Sequence, residues 1–99
     1  MKLILLALSL SLSFAQTTPL SQLEARIKAK PQDIPAREKL ANIYTSQKKF
    51  DDVIRTLAPY SNEVSINGVQ VLADAYRAKK DYEKEVLTLA IYLDRKSVV

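Results

Sequence analysis

Residues 40–60 read LANIYTSQKKFDDVIRTLAPY, and two parts of this segment return later in the chain at one common offset. LANIY at 40–44 returns as LADAY at 72–76, and TLAPY at 56–60 returns as TLAIY at 88–92. Both offsets equal 72 − 40 = 32 residues, and Phe50 corresponds to Tyr82. A period near this length is typical of stacked helix pairs, since one pair cannot bury its apolar face alone. The sequence therefore predicts a short helical array that holds a partner.

Helix start and stop signals divide the chain around this repeat. Thr18 and Pro19 are typical of a helix start, because Thr caps free amide groups and Pro has the φ angle of a first turn. We expect a first helix from about Pro19 to Lys30, with Ser21 and Glu24 forming a capping box one turn after the start. Asp33 and Pro35 open a second helix by the same devices, which should run to about Gln47.

A third helix follows the Lys48-Lys49 turn. Its apolar residues recur at the spacing of a helix buried along one stripe, and they are Phe50, Val53, Ile54 and Leu57. Pro59 should kink or end this helix, and residues 61–65 form the link to a fourth helix with Asn67-Gly68 in its first turn. Asp81 caps a fifth helix, which carries the apolar residues Tyr82, Val86, Leu89 and Leu93. Five helices without a strand signal predict an all-α fold.

The repeated residues resemble those of the tetratricopeptide repeat family. That family has Leu, a small residue and Tyr on the first helix of each pair, and an aromatic residue followed by apolar positions on the second helix. One unit of this chain matches with Leu40, Ala41, Tyr44, Phe50 and Leu57, and the next unit with Leu72, Ala73, Tyr76, Tyr82 and Leu89. The resemblance covers residues 19–95 and implies a right-handed α-solenoid of about two and a half repeats. The chain departs from the family at Lys48 and Lys80, where glycine is usual, and at Glu85, where a carboxylate lies near the packing seam.

The first fifteen residues are expected to be a signal peptide. Lys2 supplies a positive n-region, residues 3–12 an apolar run, and Ser13-Phe14-Ala15 a small-x-small cleavage site. The run is shorter than the roughly 20 apolar residues that span a bilayer, so we expect cleavage, no stable membrane insertion afterwards and a repeat domain at 16–99. The short leader with one lysine indicates export to the periplasm or envelope of a bacterium. Because the chain has no cysteine, helix packing alone must hold the domain.

Composition argues against several other functions. Without its leader the chain has a net charge of 14 − 11 = +3, too small and too interspersed to indicate nucleic-acid binding. The absence of His and Cys removes most nucleophile–base pairs and transition-metal sites, so no enzyme activity and no cofactor are expected. Two acidic pairs, Asp51-Asp52 and Glu83/Glu85, lie in first helical turns, where the helix dipole accounts for them.

Two surfaces are candidates for binding another protein or peptide. In such an array the first helix of each pair lines the concave side, and six polar residues there lie beside the core stripe: Glu38, Asn42, Thr45, Gln70, Asp74 and Arg77. They are either a partner site or merely solvated, and in both cases should contribute little to stability. The second surface is the apolar pair Leu87 and Ile91 on the last helix, with Leu93 and Val98 nearby, where further repeats, a partner or self-association could provide cover.

These observations favour a non-enzymatic, exported repeat module that acts as a scaffold or adaptor. The leading alternative is that residues 1–99 are the N-terminal part of a longer envelope enzyme or assembly factor, in which the repeats only position a partner.

Overall fold

The computed structural model describes residues 18–97, and within that range the chain is all-helical, without a strand, as the repeat predicts. The helices are α1 (Pro19–Ala29), α2 (Ile34–Ser46), α3 (Phe50–Leu57), α4 (Ile66–Ala78) and α5 (Tyr82–Ser97), with a 3-10 turn over Ala58–Tyr60. None of these helices has the length and apolar character needed to cross a membrane. The expected signal peptide at 1–15 and Val98 lie outside the described residues.

The helix starts agree with the expected caps except in one detail. The Thr18 hydroxyl accepts a hydrogen bond from the Ser21 amide, and the Ser21 hydroxyl accepts one from the Thr18 amide, so these two residues form the capping box themselves. The expected box of Ser21 with Glu24 is therefore wrong, because Ser21 is already the partner of Thr18. Glu24 instead accepts a hydrogen bond from the Tyr44 hydroxyl at 2.6 Å.

Side-chain caps also begin three later helices. Asp33 caps α2 through the Ala36 amide, Ser65 caps α4 through the Gly68 amide, and Asp81 accepts a 3.3 Å hydrogen bond from the Lys84 amide at the start of α5. Gly68 is required for close approach, since a Cβ atom added there would lie 2.9 Å from Cβ of Val64.

Pro59 ends α3 at Leu57, whereas α5 has Ile91 at the corresponding position and continues to Ser97. This extension lets the Arg95 guanidinium donate hydrogen bonds to the carbonyl oxygens of Asn62 and Val64, in the link between α3 and α4. The end of α5 is thereby attached to the preceding unit.

Each helix packs against the next one along the chain, and α2 also contacts α4. The core forms between these helices, and its buried members are Leu23, Ala36, Leu40, Ala41, Tyr44, Val53, Leu57, Val64, Val69, Leu72, Ala75 and Tyr76. The small residues Ala41 and Ala73 are both buried, as expected for positions where two helices approach closely.

The two turns between paired helices share an uncommon backbone conformation. Lys48 has a φ of 60° and Lys80 a φ of 62°, both in the left-handed region that favours glycine. Lysine therefore occupies, in both turns, a backbone conformation that glycine adopts without a steric cost.

The apolar residues of α5 do not form a buried stripe. Tyr82 is 58% exposed, Val86 is 64% exposed and Leu93 is also exposed, while Leu89 is only half-buried. The residues of α5 that are buried are Glu85 and Thr88, the counterparts of Val53 and Thr56 on α3. Both helices therefore turn the same side inward, but within the described residues no helix covers the adjacent side of α5.

Candidate binding groove

The groove between α4 and α5 contains three of the six polar residues expected to bind a partner. Gln70, Asp74 and Arg77 line it from α4, and Leu89 and Tyr92 line it from α5. The volume of this open groove is about 200 Å³. Polar groups along one wall and apolar area along the other suit a peptide segment, since apolar contact supplies affinity and a few polar groups supply orientation.

The walls of the groove are held by the fold rather than by the groove residues alone. The three α4 residues share one helical face because they lie at i, i+4 and i+7. Tyr92 packs against the core and is half-buried, and the Lys96 Nζ atom lies 5.9 Å from the centroid of its ring. The apolar wall therefore has a fixed position.

Arg77 lines the groove and also forms a hydrogen bond with a buried residue. Its Nε atom donates a 2.6 Å hydrogen bond to Oε2 of Glu85, whose side chain is buried with the residue only 8% exposed. This hydrogen bond, helped by the charges of Glu85 and Asp74, raises the pKa of Arg77 above its already high ordinary value. The carboxylate that the sequence places near the packing seam is thus compensated by a cation from the neighbouring helix, and Arg77 is not merely solvated.

Gln70 and Asp74 are the groups of this groove that the chain leaves available. Both side chains are exposed, and within the described residues neither makes a side-chain hydrogen bond or an ion pair within 4 Å. An amide and a carboxylate one helical turn apart can accept and donate hydrogen bonds to a peptide backbone. They are therefore the strongest candidates for polar contacts with a partner.

The three polar residues of α2 have different environments. The Glu38 carboxylate accepts hydrogen bonds from the Ser65 amide at 2.8 Å and the Ser65 hydroxyl at 2.6 Å, so it ties α2 to the start of α4. The Thr45 hydroxyl donates to the Ala41 carbonyl within its own helix. Only Asn42 is exposed without such a bond, beside a small cleft of about 30 Å³ that Asn67 also lines. The structure thus does not give the two polar trios the same role.

The second expected surface is also divided. Leu87 is 62% exposed, but Ile91 packs against the core. An exposed apolar pair at these positions is therefore not present, and the larger exposed apolar area on α5 is the side that carries Tyr82 and Val86.

A larger groove, of about 360 Å³, lies between α1, α2 and α3, but the chain itself uses most of its polar groups. Arg37 donates to the Pro31 and Thr56 carbonyls at 2.6 and 2.7 Å, and its guanidinium lies 4.3 Å from the centroid of the Tyr60 ring. The Tyr44 hydroxyl is bound to Glu24, and loss of solvent together with that hydrogen bond raises the pKa of Tyr44 to about 12. These contacts are structural, so this groove is a weaker candidate.

The two acidic pairs are mostly neutralised by separate cations. Asp51 pairs with Lys79 at 3.1 Å, Asp52 pairs with Arg55, and Glu85 pairs with Arg77. Among residues 18–97, no group of three or more potential metal ligands lies close together.

Sequence reasoning missed Leu89 and Tyr92 as groove residues and assigned both to the repeat pattern alone. Their recurrence at the 32-residue offset is a signal of packing, and only the pairing of α4 with α5 places them opposite Gln70 and Asp74. Comparison of the chain with protein-family models, with curated proteins and with solved structures gives no match. The assignment of a site therefore rests on the geometry of this chain's own residues.

Proposed function

We propose that this protein is an exported, non-enzymatic helical-repeat module that binds another protein through the α4–α5 groove. The observation that carries the proposal is the groove itself, in which Gln70 and Asp74 lie available opposite the apolar wall of Leu89 and Tyr92. A peptide segment fits that combination, because its apolar side chains can contact Leu89 and Tyr92 while its backbone groups form hydrogen bonds with Gln70 and Asp74.

The proposal includes a tetratricopeptide-like arrangement, a short right-handed α-solenoid. Three features support it: packing of each helix on the next, the additional contact between α2 and α4, and left-handed residues at equivalent turns 32 residues apart. In such an array the first helix of each pair forms the binding side, which is the side on which Gln70 and Asp74 lie.

Location in the periplasm or envelope of a bacterium is part of the proposal and rests on the leader at 1–15. Expression of the full chain with its leader, followed by intact-mass measurement, tests it. We expect a secreted species that begins at Gln16. A membrane-bound species that retains residues 1–15 would contradict this part of the proposal.

Peptide binding is tested by selecting peptides from a displayed random library on the purified chain. The double variant Gln70→Ala with Asp74→Ala should weaken the binding of selected peptides at least about tenfold, a loss of two polar contacts. A matched control is Gln32→Ala with Glu63→Ala, which also removes one amide and one carboxylate from exposed positions. Arg77→Ala is unsuitable, because it would leave Glu85 buried without its cation.

Equal binding by both double variants would show that the selected peptides do not use the groove. The alternative, in which residues 1–99 belong to a longer envelope enzyme or assembly factor, predicts the same groove chemistry. In that case the coding sequence beyond Val99 would extend the chain.

A further inference from the structure

The open groove and the exposed side of α5 correspond to a surface that is occupied in the first unit. The five residues that line the groove lie 32 positions after Glu38, Asn42, Thr45, Leu57 and Tyr60. Tyr82 and Val86 likewise lie 32 positions after Phe50 and Ile54. In the first unit Leu57 is fully buried and Phe50 and Ile54 are half-buried against the core, whereas their counterparts are exposed or half-buried.

Helix α4 is what covers this surface in the first unit. Its start lies against the end of α3, where Gly68 and Val71 share a small cleft with Leu57, and Ser65 is bound to Glu38. Its end lies beside the beginning of α3, where the Lys79 Nζ atom is 3.1 Å from Oδ2 of Asp51. The covering helix α4 is thus antiparallel to α3. It begins over Glu38 and Leu57, which are counterparts of groove residues, and ends over Asp51.

The charges needed to receive a helix in the same way are present in the second unit. Asp74 takes the place of Asn42 at the end of the site where the helix would begin, and a carboxylate near a helix N-terminus is favourable. Glu83 takes the place of Asp51 at the other end, and within residues 18–97 it makes no hydrogen bond or ion pair.

We propose that the partner segment is an amphipathic helix of another protein that docks antiparallel to α5, as α4 docks on α3. It begins over Gln70 and Asp74 in the α4–α5 groove, covers Tyr82 and Val86 with a stripe of small and branched apolar residues, and carries a lysine or arginine in its last turn opposite Glu83. This inference rests on the proposed function, because it names the kind of peptide that the groove takes.

The test uses α4 itself as the probe. A second copy of residues 64–81 is joined to the C-terminus of the full mature chain through a flexible Gly/Ser linker of about 12 residues, which places the copy at an effective millimolar concentration. Docking should raise the thermal midpoint by roughly 5 °C relative to a fusion whose copy has glutamate in place of its Val71 equivalent, since Val71 shares the cleft with Leu57.

Two neighbouring residues of α5 provide a matched pair of variants. Val86 and Leu87 are 64% and 62% exposed, but they point about 100° apart around the helix. Val86→Glu should abolish the rise in midpoint, and Leu87→Glu should leave it unchanged. Glu83→Lys should reduce the rise, and a lysine-to-glutamate change at the copy's Lys79 equivalent should restore it.

The absence of any rise, or a rise that survives Val86→Glu, would overturn the helix proposal. Sedimentation of the unfused chain supplies a second check, because dimerisation that Val86→Glu abolishes would make a second copy, rather than another protein, the occupant. If library peptides bind the groove while the tethered helix does not dock, the proposed function stands and the helical partner is wrong.

Discussion

The first unit, residues 34–60, and the second unit, residues 66–92, share one sequence pattern but bury it to different extents. Val53 and Leu57 are fully buried in the first unit. In the second unit Glu85 is buried with the help of Arg77, and Leu89 is half-buried. The units present the same sides inward, so the difference comes from their neighbours. Helix α4 covers a second side of α3, beyond the side that packs on α2, whereas within the described residues no helix covers the corresponding side of α5.

A sequence repeat therefore predicts which side of a helix faces its pair, but not how much of that side is buried. The second unit also tolerates a carboxylate where the first has valine, because Arg77 stands where the first unit has Thr45.

Truncating the equivalent leucines, Leu57 and Leu89, should give the largest difference in unfolding free energy between the two units. Leu57→Ala should cost about 3–4 kcal/mol in the free energy of unfolding, because it leaves a cavity in a closed core. Leu89→Ala should cost only about 1–2 kcal/mol, because one side of that residue already faces solvent. Urea unfolding of both variants measures the difference. Equal losses would mean that α5 is covered as completely as α3.

Replacing Arg77 and Glu85 by threonine and valine, the residues at the equivalent positions of the first unit, should show that Arg77 compensates the buried charge of Glu85. Arg77→Thr alone should destabilise the fold, by less than Leu57→Ala, since it leaves a buried carboxylate without its cation. Adding Glu85→Val should recover most of the loss. A double-mutant cycle by urea unfolding measures the coupling. Additive effects of the two changes would contradict the assignment.

The stability that the Tyr44 hydroxyl contributes should be lost in alkaline solution. The pKa of Tyr44 is raised to about 12, so the fold favours its neutral form. Its contribution is complete below the unfolded pKa of about 10 and is lost as pH rises from there towards 12. After allowance for solvent screening, this loss is about 1 kcal/mol relative to Tyr44→Phe.

Tyr76→Phe is a matched variant for removal of a tyrosine hydroxyl from the core, because the Tyr76 hydroxyl makes no hydrogen bond within residues 18–97. Unfolding free energies measured at pH 9, 10 and 11 compare the three proteins. A wild-type profile parallel to that of Tyr44→Phe would show that the bond to Glu24 does not hold the proton.

The turns should respond alike in the two units. Lys48→Gly and Lys80→Gly should each stabilise the fold by roughly 0.5–1 kcal/mol, because glycine adopts a positive φ without a steric cost. Gln47→Gly is a control in the Lys48 turn with a negative φ of −91°, and it should not stabilise. Thermal unfolding measures these shifts. A gain in only one unit would indicate that the turns differ in solution.

The helix positions could be read from the sequence because their causes are local. Thr18, Asp33, Ser65 and Asp81 cap their own helices, and Pro59 ends α3 by its own ring. The burial of the apolar residues of α5 could not be read in this way, for the opposite reason. An apolar stripe at helical spacing identifies a side of a helix, and burial of that side requires a neighbour that the spacing does not reveal.

The candidate site was predictable only in part. The sequence could group Gln70, Asp74 and Arg77, since they lie on one face of a single helix. It could not assign Arg77 to Glu85 or Glu38 to Ser65, because each pair joins two different helices and depends on how those helices pack. It also could not place Leu89 and Tyr92 across from Gln70.

The helical class, the approximate helix limits and the two-unit repeat follow from the amino-acid sequence, because backbone hydrogen bonding, caps and periodicity act within a few residues. Which apolar residues are buried, which charges are paired and where an open groove remains depend on how the helices pack. Burial and pairing depend on the atoms that surround a side chain, and those atoms come from helices distant in sequence. For this reason Leu57 is buried in α3, whereas Leu89, at the equivalent position of α5, is only half-buried.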